Sequence, residues 1–305
     1  MRIVVTGATG FLGSYLAADL LARGHAVAVL VRPHSDTWRL RDLLPRLEVM
    51  GGSVADLSAL APALRAFKPD AIAHLAWSGV AGADRNDPAQ ARNIAETVEL
   101  AALAADVGAS VFVGAGSQAE YGPYDRAIVE SDATHPTTLY GMAKLAAGRM
   151  AGELAAQRGL RFAWLRVFST YGPKDNPAWL IPSTIAKLRN EKRMALTACE
   201  QRWGFLHAAD AAAAFRTVIE TPSAAGVFNL GSAGAPALCD TLVRLRDLVD
   251  PAATLGFGEI PYRPDQVMHL QADVTRLAAL GWTPQIDLAQ GLRETVAWYV
   301  DNERR

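Results

Sequence analysis

A glycine-rich turn directly after the first apolar run constrains the fold of this chain more than any other feature. The apolar residues 3–5 lead into Gly7-x-x-Gly10-x-x-Gly13, and an alanine-rich amphipathic stretch begins at the last glycine. Glycine allows a tight turn and a close approach of the backbone to a ligand, and the N-terminus of the next helix offers free N–H groups to an anion. The pattern predicts a strand, a turn and a helix that hold the pyrophosphate of a dinucleotide.

Apolar runs and helical stretches alternate through the first half of the chain. Gly24, Gly108 and Gly159 follow helical stretches, where C-terminal caps are expected. The alternation predicts an α/β fold, a doubly wound parallel Rossmann sheet with helices on both faces. The predicted strands are residues 3–5, 27–31, 71–75, 111–113 and 162–167, and the predicted helices are residues 13–23, 58–67, 89–107 and 139–158.

The pattern becomes less regular after Tyr171-Gly-Pro173, where prolines recur and the predicted elements shorten. We therefore expect a smaller second region that is assembled from several excursions of the chain. The alanine-rich run at residues 208–214 is typical of a helix, and a final helix is predicted near residues 288–302.

Composition and charge argue against several kinds of partner. The formal net charge is −1 and no block of like charges occurs, which argues against nucleic acid or an acidic membrane surface. No run reaches about 18 apolar residues, so we expect no membrane span. Cys199 and Cys239 lie far apart and outside any CxxC pattern, so we expect a cytoplasmic protein without a disulfide or a metal site. Because a strand is predicted from residue 2, we expect no signal peptide.

The end of the second predicted strand indicates the type of dinucleotide. An acidic residue about 20 positions after the glycines usually binds the ribose 2′-hydroxyl of NAD, whereas arginine suits the 2′-phosphate of NADP. Val31 occupies the place of the acid here, and Arg32 follows it. A guanidinium can pair with phosphate through two hydrogen bonds. The sequence therefore favours NADP(H), while NAD(H) remains possible.

The segment Tyr140-Gly-Met-Ala-Lys144 carries the expected acid–base chemistry. Residues four apart lie on one face of a helix, so an ammonium lies near a phenol. A phenol has a pKa of about 10, and a nearby cation lowers it toward the working range. Ser117 follows the predicted strand at residues 111–113, where its hydroxyl can donate to a carbonyl oxygen. These three residues predict hydride transfer to or from a carbonyl-bearing substrate.

The order and spacing of these motifs resemble the extended short-chain dehydrogenase/reductase family of nucleotide-sugar enzymes over nearly the whole chain. Further matching segments are His74-Leu-Ala-Trp77, Asn93-Ile-Ala-Glu-Thr97, Gly116-Ser-Gln-Ala-Glu-Tyr-Gly122, Leu165-Arg-Val-Phe-Ser-Thr-Tyr-Gly-Pro173 and Leu280-Gly-Trp-Thr-Pro284.

This resemblance implies two domains and a set of cofactor contacts. Residues 1–172 with 203–235 would form the Rossmann domain, and residues 173–202 with 236–305 would form a smaller C-terminal α/β domain for a nucleotide sugar. Lys144 would hold the nicotinamide ribose, Asn93 would support the site, and the helices at residues 89–107 and 139–158 would form a homodimer. The cofactor-binding residues implied are Gly7, Thr9, Gly10, Phe11, Leu12, Gly13, Arg32, Ser53, Val54, Leu75, Ala76, Trp77, Asn93, Tyr140, Lys144 and Phe168.

The residues after Ser117 bear on the reaction. Dehydratases of the family carry an Asp-Glu pair at the positions of Gln118 and Ala119, so this chain lacks an obvious acid and base for 4,6-elimination. Two reactions remain, a 4-ketoreduction that consumes NADPH and a 4-epimerisation that uses retained NAD. Arg32 favours the reductase. So does the segment Phe257-Gly-Glu-Ile-Pro-Tyr-Arg-Pro-Asp-Gln-Val-Met268, which resembles the tail of the CDP-abequose and CDP-paratose synthases, NADPH-dependent reductases of 4-keto-deoxyhexoses.

The resemblance also implies substrate contacts by Gln118, Ser169, Arg202, Arg263 and Gln266. Arg263 matches an arginine that contacts the diphosphate, and Gln266 lies nearby in sequence. Ser169 replaces a common asparagine, and relatives often have arginine at position 203, one place after Arg202. 

His74 and His207 follow strand-like runs, and we interpret both as structural residues. A protein of this fold that binds NADP only as a sensor or scaffold is another hypothesis. Such proteins often lose the tyrosine or the lysine, whereas this chain has both Tyr140 and Lys144.

Overall fold

The computed structural model describes residues 1–264 and 266–302. Its strands are β1 (Arg2–Thr6), β2 (Ala26–Val31), β3 (Glu48–Gly51), β4 (Ala71–His74), β5 (Val111–Ser117), β6 (Arg161–Val167), β7 (Ser169–Tyr171), β8 (Arg193–Ala195), β9 (Arg202–Trp203), β10 (Phe205–His207), β11 (Gly226–Leu230), β12 (Thr254–Gly256) and β13 (His269–Leu270). Its α-helices are α1 (Phe11–Ala22), α2 (Leu57–Phe67), α3 (Gln90–Asp106), α4 (Leu139–Gln157), α5 (Leu180–Asn190), α6 (Ala208–Glu220), α7 (Leu238–Val249), α8 (Thr275–Ala278) and α9 (Leu288–Asn302). Short 3-10 helices span Trp38–Leu40, Leu44–Arg46, Gly82–Asn86 and Gln118–Glu120.

A sheet of parallel strands in the order β11-β6-β5-β4-β1-β2-β3 forms the centre of the molecule. The strand order reverses between β1 and β4, where Thr6 pairs with His74. Ligands of such sheets bind in the crevice outside the carboxyl ends of the strands at this reversal. The predicted doubly wound parallel sheet is confirmed.

Hydrophobic layers cover both faces of the sheet because successive side chains of a strand point to opposite faces. In β1, Ile3 and Val5 belong to the layer that contains α1 and α6, whereas Val4 belongs to the layer that contains α2, α3 and α4. Each of these three side chains is almost fully buried. Burial of one aliphatic side chain of this size stabilises the fold by about 1.5–3 kcal/mol.

The predicted elements differ from the observed ones mainly at strand ends and sheet edges. The strand predicted at residues 111–113 extends to Ser117, because residues 114–117 also pair with β6. Its glycines Gly114 and Gly116 pack against the indole of Trp164, since a Cβ at either one would lie 2.3 Å from that ring system. The edge strands β3 and β11 were not predicted. In β3 only Met50 is buried, so no apolar run marks the strand.

A third hydrophobic cluster lies outside the sheet layers. It joins α5, α7 and α9, and its fully buried members include Leu188, Leu242 and Leu292. The short parallel pair of β8 and β12 lies beside this cluster. The domain boundaries expected at residues 172, 203 and 235 stay a prediction. Within residues 1–264 and 266–302, no helix combines the length and apolar character that crossing a membrane requires.

Candidate active site

A cavity of about 760 Å³ opens at the carboxyl ends of the central strands, where the strand order reverses. It brings together most of the residues that the sequence singled out, although they are far apart along the chain. Those that line it are Gly7, Thr9, Gly10, Phe11, Leu12, Gly13, Arg32, Ser53, Val54, Leu75, Ala76, Trp77, Ser117, Gln118, Tyr140, Lys144, Phe168 and Ser169.

Four predicted site residues do not line this cavity. Asn93 is buried; its Oδ1 accepts from the Ser78 N–H at 2.9 Å and its Nδ2 donates to the Ser78 carbonyl at 3.1 Å, so it supports the loop after β4. Arg202 and Arg263 are exposed, and the Gln266 amide donates to the Val267 carbonyl. Their proposed contacts with the substrate stay predictions.

The turn between β1 and α1 is packed so closely that side chains are excluded. Gly7 has φ +71°, and a Cβ there would lie 2.6 Å from the Ala76 nitrogen. A Cβ at Gly13 would lie 2.2 Å from the Gly7 oxygen. Gly10 is the N-cap of α1 and offers no capping side chain, so the first N–H groups of the helix are available to an anion. This cradle fits the pyrophosphate of a dinucleotide.

Ser117, Tyr140 and Lys144 meet at the base of the cavity. Ser117 ends β5, while Tyr140 and Lys144 lie in the first two turns of α4, whose N-cap Thr138 accepts from the Gly141 N–H at 3.1 Å. All three functional side chains are buried. Burial raises the pKa of Tyr140, and the neighbouring Ser117 hydroxyl and the Arg85 guanidinium oppose that rise.

The ammonium of Lys144 contacts the cavity wall. Its Nζ donates to the Ala115 carbonyl at 2.6 Å and lies 3.6 Å from the ring centroid of Trp77. Burial lowers the pKa of Lys144 to about 7, although the Glu120 carboxylate opposes this. The distance from Nζ to the ring centroid of Tyr140 is 5.9 Å. Lys144 is therefore a weaker source of fixed positive charge at neutral pH than its sequence spacing suggests.

Glu120 is a functional residue that the sequence reasoning missed. Its buried carboxylate accepts from the Ser117 N–H at 2.8 Å, from Trp164 Nε1 at 2.9 Å and from Arg166 Nε at 2.7 Å. It thereby fixes the backbone from which the Ser117 hydroxyl projects. A signal existed, since a serine with a glutamate three positions later is the sequence pattern of a capping box, and both halves of that box are formed.

Arg85 is a second residue that was missed, because no local pattern marks it. It lies in the 3-10 helix Gly82–Asn86, lines the cavity and holds its guanidinium carbon 4.5 Å from the ring centroid of Tyr140. The pairing joins parts of the chain that are more than fifty residues apart, so only the tertiary structure reveals it.

The opposite end of the cavity carries charges of both signs. Arg32 follows β2 and is exposed, and Ser35 and Ser53 line the cavity near it. Glu96 of α3 lines the same cavity. Burial raises the pKa of Glu96, and Arg32 is among the cations that lower it. The sequence motif after β2 indicated only the arginine.

His74 is a structural residue, as predicted. Its ring nitrogens lie 2.8 Å from the Thr6 hydroxyl and 3.1 Å from the Thr97 hydroxyl, and burial lowers its pKa to about 3, so the ring is neutral. His207 also has a structural contact, because its Nδ1 accepts from the Ala209 N–H at the start of α6.

Similarity to known proteins agrees with this geometry. Residues 3–231 match the NAD dependent epimerase/dehydratase family. The chain is 28% identical to the dTDP-glucose 4,6-dehydratase of Streptomyces griseus over 98% of its own length and 94% of that protein. It is 22% identical to the CDP-abequose synthase of Salmonella muenchen over 97% of each chain.

A solved structure shares the whole fold. The UDP-glucuronic acid 4-epimerase of Bacillus cereus, in complex with UDP-glucuronic acid and NAD, superposes with a TM-score of 0.85 at 22% identity and 99% coverage of each chain. The family match spans most of the chain and includes β1, the glycine turn, Ser117, Tyr140 and Lys144. The chain therefore belongs to the NAD dependent epimerase/dehydratase family of enzymes.

Proposed function

We propose that this enzyme uses NADPH to reduce the 4-keto group of a nucleotide-linked deoxysugar. One observation carries the proposal. The buried Ser117 and Tyr140 face a cavity in which Gln118 stands where the dehydratases of the family have an acid. Ala119, at the next position, has no titratable group. The site therefore has donors for a C4 oxygen and lacks the carboxylate pair that would eliminate water.

We infer that the residues lining the cavity fit this cofactor. The glycine turn would hold the pyrophosphate, Arg32 the 2′-phosphate, and Tyr140 with Lys144 the nicotinamide ribose. NADPH, when bound, supplies the hydride that adds to C4 of the sugar.

The chain supplies the proton and the charge stabilisation. As the C4 oxygen gains negative charge, the Tyr140 O–H bond breaks and its proton moves to that oxygen, which completes the alcohol. The Ser117 hydroxyl donates a hydrogen bond to the same oxygen and stabilises the charge before the proton arrives. Both side chains are less than a tenth exposed, so little water competes for these hydrogen bonds.

A 4-epimerase is the second candidate, and Glu96 is the observation that favours it. A carboxylate at the Arg32 end of the cavity would repel a 2′-phosphate and could accept a hydrogen bond from a free 2′-hydroxyl. The similarity to the Bacillus cereus 4-epimerase agrees with this reading. The same Ser117 and Tyr140 would serve an oxidation and a re-reduction at C4.

One experiment separates the candidates. The nucleotide that copurifies is extracted and identified, and NADPH and NADH oxidation are then followed against 4-keto-deoxysugars linked to CDP, dTDP or UDP. A reductase turns over at least one of these with NADPH, and Tyr140→Phe lowers that turnover about 100-fold or more while cofactor binding persists. Tightly retained NAD without consumption of NADPH would contradict the proposal.

Arg32 gives a matched test of cofactor choice. Arg32→Ala should raise the KM for NADPH at least about tenfold and leave that for NADH nearly unchanged, because one charge-assisted contact is lost. Arg65→Ala, an exposed arginine of α2 outside the cavity, serves as the control. An equal loss for both cofactors would refute the assignment of the 2′-phosphate to Arg32.

We also infer that two copies associate through α3 and α4. These helices pack against each other, and α4 exposes Met142 and Met150 by 49% and 54%. Introducing glutamate at either methionine should shift the mass measured by light scattering to that of a monomer. Leu248→Glu, on the exposed side of α7, is the control. A monomeric parent protein would refute this inference.

A further inference from the structure

Buried hydrogen bonds hold the loop between β4 and α3, which lines the cavity. Gln90 is 3% exposed, and its Nε2 donates to the Gly79 carbonyl at 2.6 Å and to the Asp84 carbonyl at 3.0 Å. Its Oε1 accepts from Trp77 Nε1 at 2.9 Å. One buried amide therefore ties both ends of this loop together, including the 3-10 helix that carries Arg85.

A second contact fixes the same 3-10 helix to the helix that carries Tyr140. Asn86 Oδ1 accepts from the Leu139 N–H at 3.1 Å, one residue before Tyr140. Arg85 is thus anchored beside the phenol, with its guanidinium carbon 4.5 Å from the centroid of the ring. Within residues 1–264 and 266–302, no carboxylate forms a salt bridge with Arg85.

The other charged groups around Tyr140 are bound to other partners or lie farther from its ring. On its own helix, Lys144 directs its ammonium to the Ala115 carbonyl and to the Trp77 ring, with Nζ 5.9 Å from the centroid of Tyr140. Behind β5, the Glu120 carboxylate is paired with Arg166 at 2.7 Å.

These neighbours act on the phenol in opposite directions. Burial raises the pKa of Tyr140 and Glu120 adds to that rise, whereas the Ser117 hydroxyl and Arg85 lower it. Among residues 1–264 and 266–302, Arg85 is therefore the cation that lowers the pKa of Tyr140, and it lies 4.5 Å from the centroid of that ring.

We propose that Arg85 is a positioning residue that holds positive charge over the face of Tyr140 and stabilises the phenolate left when its proton is transferred. Guanidinium groups are always charged and stack on aromatic faces, so Arg85 can do this across the working pH range. Lys144 is thereby left to bind the nicotinamide ribose. The inference rests on the proposed acid–base role of Tyr140, but its test needs no substrate.

The test is the titration of the Tyr140 phenol. Ionisation is followed by tyrosinate absorbance, with the Tyr140→Phe protein subtracted so that only this phenol contributes. Two unit charges about 5–6 Å apart, at an effective dielectric constant of 20 to 40, shift a pKa by about one to two units. Arg85→Met should raise the pKa of Tyr140 by at least about one unit by this reasoning, and Arg85→Lys should restore part of the difference. Arg65→Met, a surface arginine, should change nothing.

A result within experimental error of the parent protein for Arg85→Met overturns the inference. Circular dichroism and the melting temperature identify a variant that fails to fold, in which case Arg85→Gln provides the same reading with a polar side chain. A raised pKa without turnover of any 4-keto sugar supports the inference and counts against the proposed function. Turnover with an unchanged pKa does the reverse.

A kinetic readout follows on any substrate that is reduced. Removing Arg85 should move the alkaline limb of kcat/KM upward by about the same one unit and leave the KM for the cofactor unchanged, since a proton donor of higher pKa stays protonated to higher pH. A merely structural role would lower the rate at every pH and leave the limb where it is, which would contradict the inference.

Discussion

The placement of single side chains at the candidate active site depends on buried charges. Glu120 is 1% exposed and Arg166 is 7% exposed, and the two form an ion pair at 2.7 Å. The same carboxylate accepts the Ser117 N–H, so it links the stability of the fold to the placement of the serine hydroxyl. A buried pair of this kind contributes little net energy compared with apolar packing, but it is costly to break.

Glu120→Gln should destabilise the protein by about 3–5 kcal/mol, because the buried Arg166 guanidinium loses its counter-ion. The free energy of unfolding in urea measures this loss. Asp106→Asn provides the control, since Asp106 and Arg158 form an exposed pair with side-chain exposures of 53% and 47%. An exposed pair contributes at most about 1 kcal/mol, so equal losses in the two variants would contradict the argument.

Asp175 should make stability depend on pH. It is 4% exposed, and burial raises its pKa to about 7, with Arg39 opposing the rise. The pKa of an aspartate in the unfolded chain is about 3.9. The folded state therefore binds more protons than the unfolded state between about pH 4 and 7. The contribution of Asp175 to stability is therefore full below about pH 4 and is lost as the pH rises through about 7.

Asp175→Asn removes this titration while its amide oxygen can still accept from the Asn176 N–H. The variant should be more stable than the parent at pH 8, by up to about 4 kcal/mol at 1.4 kcal/mol per pH unit, and nearly equal to it near pH 4. Urea unfolding at both pH values measures the difference. A difference that does not change with pH would show that Asp175 titrates normally.

At the scale of elements, the turn between β1 and α1 depends on backbone contacts that leave no room for a methyl group. Gly13→Ala places a Cβ 2.2 Å from the Gly7 oxygen, so the turn must open. The expected result is a loss of about 1–3 kcal/mol in stability, together with a large loss of dinucleotide affinity measured by calorimetry.

Gly51→Ala is the control for Gly13→Ala, because it adds the same methyl group where there is space for it. Nothing lies within 4 Å of a Cβ at Gly51, so the substitution should change stability by about 0.5 kcal/mol or less and leave dinucleotide binding intact. Normal binding by Gly13→Ala would mean that the turn does not cradle the pyrophosphate.

At the scale of the whole molecule, the last helix, α9, contacts segments that lie far from it along the chain. Trp298 of α9 stacks on Trp38, with ring centroids 6.1 Å apart and an angle of 27° between the planes. Tyr299 donates to the Asp175 carbonyl at 2.8 Å. These contacts join α9 to the 3-10 helix after β2 and to the segment after β7.

A double-mutant cycle with Trp38→Ala and Trp298→Ala should give a coupling energy of about 0.5–1.5 kcal/mol, the value typical of an aromatic pair. Unfolding in urea supplies the four free energies that the cycle needs. Strictly additive losses would mean that the two rings stabilise their own regions independently.

The sequence by itself determined the central sheet and singled out many of the residues that line the cavity. Apolar runs, helical stretches and glycine caps are local patterns, so the parallel sheet and the helices α1 to α4 could be predicted with small errors at their ends. The edge strand β3 could not be predicted, because it buries only Met50 and therefore has almost no hydrophobic pattern.

The tertiary structure alone decided how the charges around Tyr140 are arranged. The spacing of Tyr140 and Lys144 predicted one helical face, but not that the ammonium binds the Ala115 carbonyl and the Trp77 ring. Nor could it predict Arg85 over the phenol, because that contact joins a loop and a helix that local patterns do not connect. Periodicity along the chain fixes which face a residue occupies, whereas the electrostatic field at a buried phenol depends on every element that packs against it.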